Sequence, residues 1–203
     1  MKLIGMLDSP YVRRVAISLD RLGVDFEHEP LSVFSTFEAF SRINPVVKAP
    51  SLVLDDGTLL MDSTLIIDYF EAQSRADAKL LPQQPQALAQ ALQVLGLALA
   101  ACEKAVQIVY EHNLRPSEKL HHPWVARVTG QLLAACGALE QLLAAQQPTS
   151  VERPDQAGIT SAVAWSFMQL MLPEVVKAGD FPAFAEHARR LEQSELFKRY
   201  PQV

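Results

Sequence analysis

Residues 6–14, MLDSPYVRR, lie where a strand must turn into a helix, and their reading decides how the rest of the chain is read. The apolar run LIGML, ending at Leu7, has the composition of a buried strand, and VRRVAISLDRL after it has the apolar spacing of a helix. Between them stands Ser9-Pro10-Tyr11-Val12. A serine side chain accepts from the free N–H groups of a helix start, and proline suits the first helical position because it has no N–H to leave unpaired. Taken alone, Ser9 is a helix cap worth about 1 kcal/mol.

Outward from this junction the chain has two grammars. Up to about residue 78 short apolar runs alternate with helical patterns. KLIGML and PYVRRVAISLDRLG are followed by the strand-like DFEHEPLSV, a short helix TFEAFSRI and the strand SLVLDD. Asp56-Gly57 is a hairpin turn signal with TLLM as the returning strand, and Asp62 or Ser63 caps the helix TLIIDYFEAQS. The predicted order is βαβαββα, a crossover unit followed by a hairpin. Residues 79–85 form a Pro- and Gln-rich linker. From 86 to 203 only helical periodicity is left: long helices over 86–113 and 123–145, an almost wholly apolar one from about 156, and two short ones near 182–191 and 193–199. The expected organisation is an α/β domain at 1–78 and an all-helical domain at 86–203.

Bulk properties remove several classes of function. With 203 residues and 49% apolar composition the chain can bury a core, and its formal charge of −5 argues against a surface that coats nucleic acid. Met1-Lys2 leads straight into a strand, so no signal peptide is expected, and the longest apolar run, 94–102, is too short to cross a bilayer. Cys102 and Cys136 have no partner spacing, and His121-His122 would diverge on a helix by about 100°. No metal site, no membrane role and a reducing, cytoplasmic setting are expected.

Two further motifs bear on chemistry. In NPVVKAPSL, Pro50 directly precedes a strand and cannot donate to a ladder, so it belongs at an edge or a turn. In MDST, a strand end meets a helix start at Asp62-Ser63, offering a carboxylate, a hydroxyl and open N–H groups. Each reads equally well as ordinary punctuation, a strand-initiating proline and a helix cap. Their order with Ser9, all at loops or helix starts of the first half, suggests one cleft for a short, acidic, thiol-bearing peptide.

Thioredoxin-type redox proteins carry Cys-Pro-Tyr-Cys at such a junction, and here both cysteine positions hold other residues, Ser9 and Val12. SPYVRRV, NPVVKAP and DST together resemble the three glutathione-site motifs of the cytosolic glutathione S-transferases, closest to the bacterial branch with an SPxxR N-terminus. The resemblance spans the whole chain. It implies a thioredoxin-like N-terminal domain, an all-helical C-terminal domain and a homodimer. It also implies that Ser9 donates a hydrogen bond to the glutathione sulfur and that Ala49, beside a cis Pro50, pairs with the cysteinyl backbone. Asp62 and Ser63 would hold the γ-glutamyl end, and Lys48 would reach the glycine carboxylate. Two departures stand out. Val47 replaces a glycine common in the family, and Asp155-Gln156-Ala157-Gly158 keeps the cap of the buried helix without its reciprocal carboxylate.

The implied chemistry is attack by glutathione thiolate on a small hydrophobic electrophile, with glutathione as co-substrate. Lowering a thiol pKa by about two units takes roughly 2.7 kcal/mol. A hydrogen bond to a charged acceptor gives about 1.5–3 kcal/mol, and a helix N-terminus adds about 0.3–1. Ser9 at a helix start therefore suffices. Arg13 and Arg14 would favour an anion too, one of them serving as a structural salt bridge. Tyr11, Phe34, Tyr110 and Trp165 are candidates for an electrophile pocket. The rival readings are a glutathione-dependent peroxidase or reductase, and a non-catalytic protein that binds a partner such as RNA polymerase.

Overall fold

The computed structural model describes all 203 residues, Met1–Val203. In chain order the elements are β1 (Lys2–Ile4), α1 (Pro10–Arg21), β2 (Glu27–Glu29), α2 (Phe37–Ile43), β3 (Ser51–Val53), β4 (Leu59–Met61), α3 (Ser63–Gln73), α4 (Pro85–Asn113), α5 (His122–Ala145), α6 (Gln156–Met171), α7 (Pro182–Glu192) and α8 (Glu195–Lys198). The predicted βαβαββα order is present, with helices after it. The strands are shorter than the apolar runs that signalled them. The β1 ladder of LIGML ends with the Gly5 N–H donating to the Glu29 carbonyl at 3.1 Å, because Gly5 takes φ 139°, outside strand geometry.

The chain forms two compact units, Met1–Leu80 with Ser194–Val203, and Leu81–Gln193. In the first, four strands lie in the order β2-β1-β3-β4, with β1 parallel to β2 and antiparallel to β3, and β3 antiparallel to β4. The parallel pair requires a crossover, which α1 supplies. The hairpin closes through Gly57 at φ 86°, with Asp56 Oδ1 accepting from the Thr58 N–H at 2.8 Å. One face of α1 (Val12, Val15, Ala16 and Leu19) packs on Leu3 and Leu52 of the sheet, and Ile66, Ile67 and Phe70 of α3 complete this core. Each of the larger side chains contributes about 1.5–3 kcal/mol by leaving water.

The expected helical domain at 86–203 differs from the structure at its end, since Ser194–Val203 clusters with the first unit. The cause is Arg13, which is 1% exposed and must find partners inside the fold. Its Nε donates to the Tyr200 carbonyl at 2.8 Å and its guanidinium lies 5.6 Å from the centre of the Phe197 ring. Arg199 adds a two-point contact to Asp20 at 2.7 and 2.8 Å, and the Tyr200 ring stacks on Phe26 at 6.0 Å. Burial first, and then Asp20, pushes the Tyr200 phenol up to about 12.

In the second unit α4 packs along α5 and α6, and α7 packs against α5 and α6. α4 and α5 are long and apolar enough to cross a membrane by length and composition, although no single unbroken run in them is. Their apolar faces are instead spent on their neighbours: Leu95, Ala98, Ala105 and Val128, Leu132, Leu139 are buried. As expected, α6 is the buried centre, covered at every position from Gln156 to Trp165. Asp155 Oδ1 accepts from the Gly158 N–H at 2.7 Å, as a cap should. The missing reciprocal carboxylate has a packing reason. A Cβ at Gly158 would lie 2.5 Å from Thr149 Cγ2, so position 158 has no room for a side chain.

Candidate functional site

The register of the sheet builds the site. Ile4 pairs with Ser51, and Ser51 pairs with Met61, so the end of β1, the start of β3 and the end of β4 share one rim. The chain leaves β1 there towards Ser9, enters β3 there from Pro50, and leaves β4 there into Asp62. Gly5 lets the loops close up. A Cβ on it would stand 2.5 Å from Val12 Cγ2 in the first turn of α1 and 3.3 Å from Ala49 Cβ. Sequence reasoning passed over this glycine, although a glycine straight after a strand is the usual mark of a close backbone approach. Its carbonyl accepts from His28 Nε2 at 2.7 Å, which puts the histidine proton on that nitrogen.

Ser9 is the N-cap of α1, half-buried, with extended backbone at φ −69° and ψ 122°. Its Oγ accepts from the Val12 N–H at 3.4 Å, longer than an ordinary N–H···O bond. The cap is weak, and the hydroxyl keeps most of its capacity. Asp8 beside it works in the opposite direction. Its carboxyl is pushed above the usual range by desolvation, against the pull of the Ser9 and Asp8 N–H groups. A carboxylate at this point repels a second anion.

The Ala49–Pro50 peptide is cis. The loop before it is fastened by two buried polar residues that the sequence did not single out, Asn44 and Ser51. Asn44 Nδ2 donates to Ser51 Oγ at 2.8 Å, its Oδ1 accepts from the Val46 N–H at 3.0 Å, and Ser51 Oγ donates to the Lys48 carbonyl at 2.8 Å. Lys48 Nζ lies 3.9 Å from Asp62 Oδ2, both side chains about half exposed. Thus Lys48, expected to reach for a carboxylate of glutathione, has a carboxylate of the chain itself as its partner.

Asp62 takes φ 73° and caps α3, its Oδ1 accepting from the Thr64 N–H at 2.9 Å. Ser63 is buried, and its Oγ accepts from Arg14 Nη1 at 2.8 Å. Both adjacent arginines have structural contacts: Arg13 holds the C-terminal segment, and Arg14 holds the start of α3. Of the pocket candidates, Trp165 packs on Phe184 at 4.9 Å inside the helical unit, and this aromatic pair is core. Phe34 and Tyr110 are exposed on their own units, and Tyr11 is half-buried in the first turn of α1.

Residues 3–78 match the family model described as glutathione S-transferase, N-terminal domain. Over 132 residues the chain is 31% identical to the uncharacterised GST-like protein YibF of Escherichia coli, covering 60% of this chain and 65% of that one. It is 27% identical to glutathione transferase GST 23 of Zea mays over 122 residues, 60% of this chain and 55% of that one. The matched stretch thus spans less than two thirds of either relative. Among solved structures, a glutathione S-transferase of Methylobacterium radiotolerans in complex with glutathione sulfonate is 26% identical, with a TM-score of 0.88 over 98% of this chain and 93% of that one. A glutathione transferase family member of Pseudomonas fluorescens Pf-5, with bound glutathione, is 27% identical, with a TM-score of 0.84 over 100% and 98%. The rim that carries Ser9, Pro50 and Asp62 therefore lies within the stretch that matches this family model.

Proposed function

We propose that the protein is a glutathione transferase that stabilises glutathione thiolate for attack on a small hydrophobic electrophile. The observation that supports this reading best is the convergence of Ser9, Ala49-Pro50 and Asp62-Ser63 on one rim of the sheet. In this reading the Ser9 hydroxyl donates to the sulfur, helped by the open N-terminus of α1. The thiol proton goes to solvent, a carbon–sulfur bond forms at the electrophile, and the leaving group departs. Ala49 pairs with the cysteinyl backbone. Asp62 takes the γ-glutamyl ammonium, Ser63 its carboxylate, and Lys48 the glycine carboxylate once it lets go of Asp62.

The test has two stages. Retention on immobilised glutathione, with elution by the free tripeptide, is expected for the wild type; failure to bind favours the partner-binding reading. Ser9→Ala should then still bind glutathione but lose about a hundred-fold in conjugation of an aryl halide, the scale set by removing one donor to a reacting anion. Unchanged turnover would remove Ser9 from the mechanism. We propose a cytoplasmic homodimer as well. Met61, Leu65 and Tyr69 expose apolar surface along β4 and α3, a face that a second copy would cover. Light scattering should give twice the 22.5 kDa chain mass, and a monomer would refute the pairing.

A further inference from the structure

Arg14 is 1% exposed, in the second turn of α1, and its charge sits in an unusual place. Its Nη1 donates to Ser63 Oγ at 2.8 Å and to Thr64 Oγ1 at 3.1 Å, the hydroxyls of the first two residues of α3. A helix N-terminus is the positive end of its dipole, and the Asp62 carboxylate that caps α3 stands at the same helix start as this guanidinium. Asp68, further along α3, feels the Arg14 charge. Yet desolvation, the larger influence, pushes its carboxyl above the usual range, and Glu71 and Asp62 push the same way.

The hydrogen-bond inventory of Ser63 gives this charge a direction. A hydroxyl has one proton and two lone pairs. Donation from Arg14 occupies a lone pair, which leaves the Ser63 proton to be given to another acceptor. A serine held in this way is a donor polarised by a cation. Such a group suits a carboxylate better than an ammonium, for which only its second lone pair is left.

We propose that Arg14 is a positioning residue that acts through Ser63, setting its hydroxyl as the donor and adding positive charge for the α-carboxylate of a γ-glutamyl group. This rests on the glutathione reading given above. It divides the labour between the two ends of the site: Ser9 sets the state of the sulfur, and Arg14 sets the hold on the γ-glutamyl end without touching the reaction.

Four proteins test it: wild type, Arg14→Lys, Ser63→Ala and the double variant, with glutathione affinity measured by calorimetry and kcat, KM and their pH profiles by aryl halide conjugation. Arg14→Lys keeps the charge but loses the planar, longer guanidinium that reaches both hydroxyls, and should weaken glutathione binding and raise its KM by about ten-fold. At saturating glutathione, kcat and the pH midpoint for thiolate formation should stay at wild-type values. The double variant should bind within about two-fold of Ser63→Ala alone, because the two side chains act as one unit. Unchanged affinity in Arg14→Lys, a pH midpoint that moves with it, or losses that add in the double variant would each overturn the proposal. Wild-type protein that fails to bind glutathione overturns the parent reading; wild-type binding with an insensitive Arg14→Lys overturns only the role of Arg14. Arg14→Met is the stronger change, and Arg14→Lys keeps the test open if that variant does not fold.

Discussion

Val47 holds φ 51°, in the left-handed region where a branched Cβ crowds its own backbone. It is kept there by its N–H bond to the Asn44 carbonyl at 2.9 Å and by the Asn44–Ser51 network around it. Such a conformation costs about 1–3 kcal/mol, while a glycine in its place loses about 0.5–1 kcal/mol more backbone entropy on folding. Val47→Gly should therefore raise the unfolding free energy by about 1 kcal/mol, read from the urea midpoint, and at the same time loosen the loop that carries Lys48. A lower midpoint would show that packing by the valine outweighs the strain. At this scale the sequence was legible where a residue type is chosen for its own backbone. Ser9, Pro50 and Asp62 announce a cap, a strand start and another cap. Gly5, Asn44 and the two arginines were not legible in the same way, because their reasons lie far along the chain. Arg14 meets Ser63 49 residues later, and Arg13 meets Tyr200 187 residues later.

Among the elements, α6 and α7 are joined through a buried histidine. His187 is buried, its Nε2 2.9 Å from Ser161 Oγ and 3.2 Å from the Gly158 carbonyl; a carbonyl only accepts, so the proton is on Nε2. Burial, the largest influence, holds its pKa below the ordinary 6.5, against the opposing pull of the Gly158 carbonyl and Asp155, while Arg190 pushes it further down. The folded unit keeps this histidine neutral, whereas the unfolded chain takes up a proton below about 6.5. Stability is accordingly full above that pH and falls as the pH drops from there through the lower folded-state value. Thermal melts between about pH 7.5 and 5 should show the decline in wild type and a flatter curve in His187→Gln. Parallel curves would mean that other groups set the acid limit. The helices that meet here were plain in the sequence, since the apolar run of α6, its Asp155 cap and Pro182 at the start of α7 are local signals. Their side-chain partnership was not, because neither residue signals the other.

For the whole molecule, the decisive feature is that the first unit is assembled from two stretches of chain, Met1–Leu80 and Ser194–Val203. Periodicity could not reveal this: α8 reads as a helix like the others, and only the long-range contacts of its segment to Arg13, Asp20 and Phe26 show where it belongs. Ending the chain after Gln193 would remove both the Tyr200 carbonyl and the Phe197 ring on which the Arg13 guanidinium rests, together with the Arg199 contact to Asp20. The truncated protein should be cut by protease within 1–80 far faster than the full chain, with 81–193 equally resistant in both. Equal cleavage of the first unit would show that the tail is dispensable. The same arrangement has a consequence for synthesis. The ribosome releases residues 1–80 first, yet their closing strap is translated after all of 81–193. The helical unit, made second, is the one able to reach its final fold earlier, while the unit that carries the rim of Ser9, Pro50 and Asp62 waits half-made for residues 194–203.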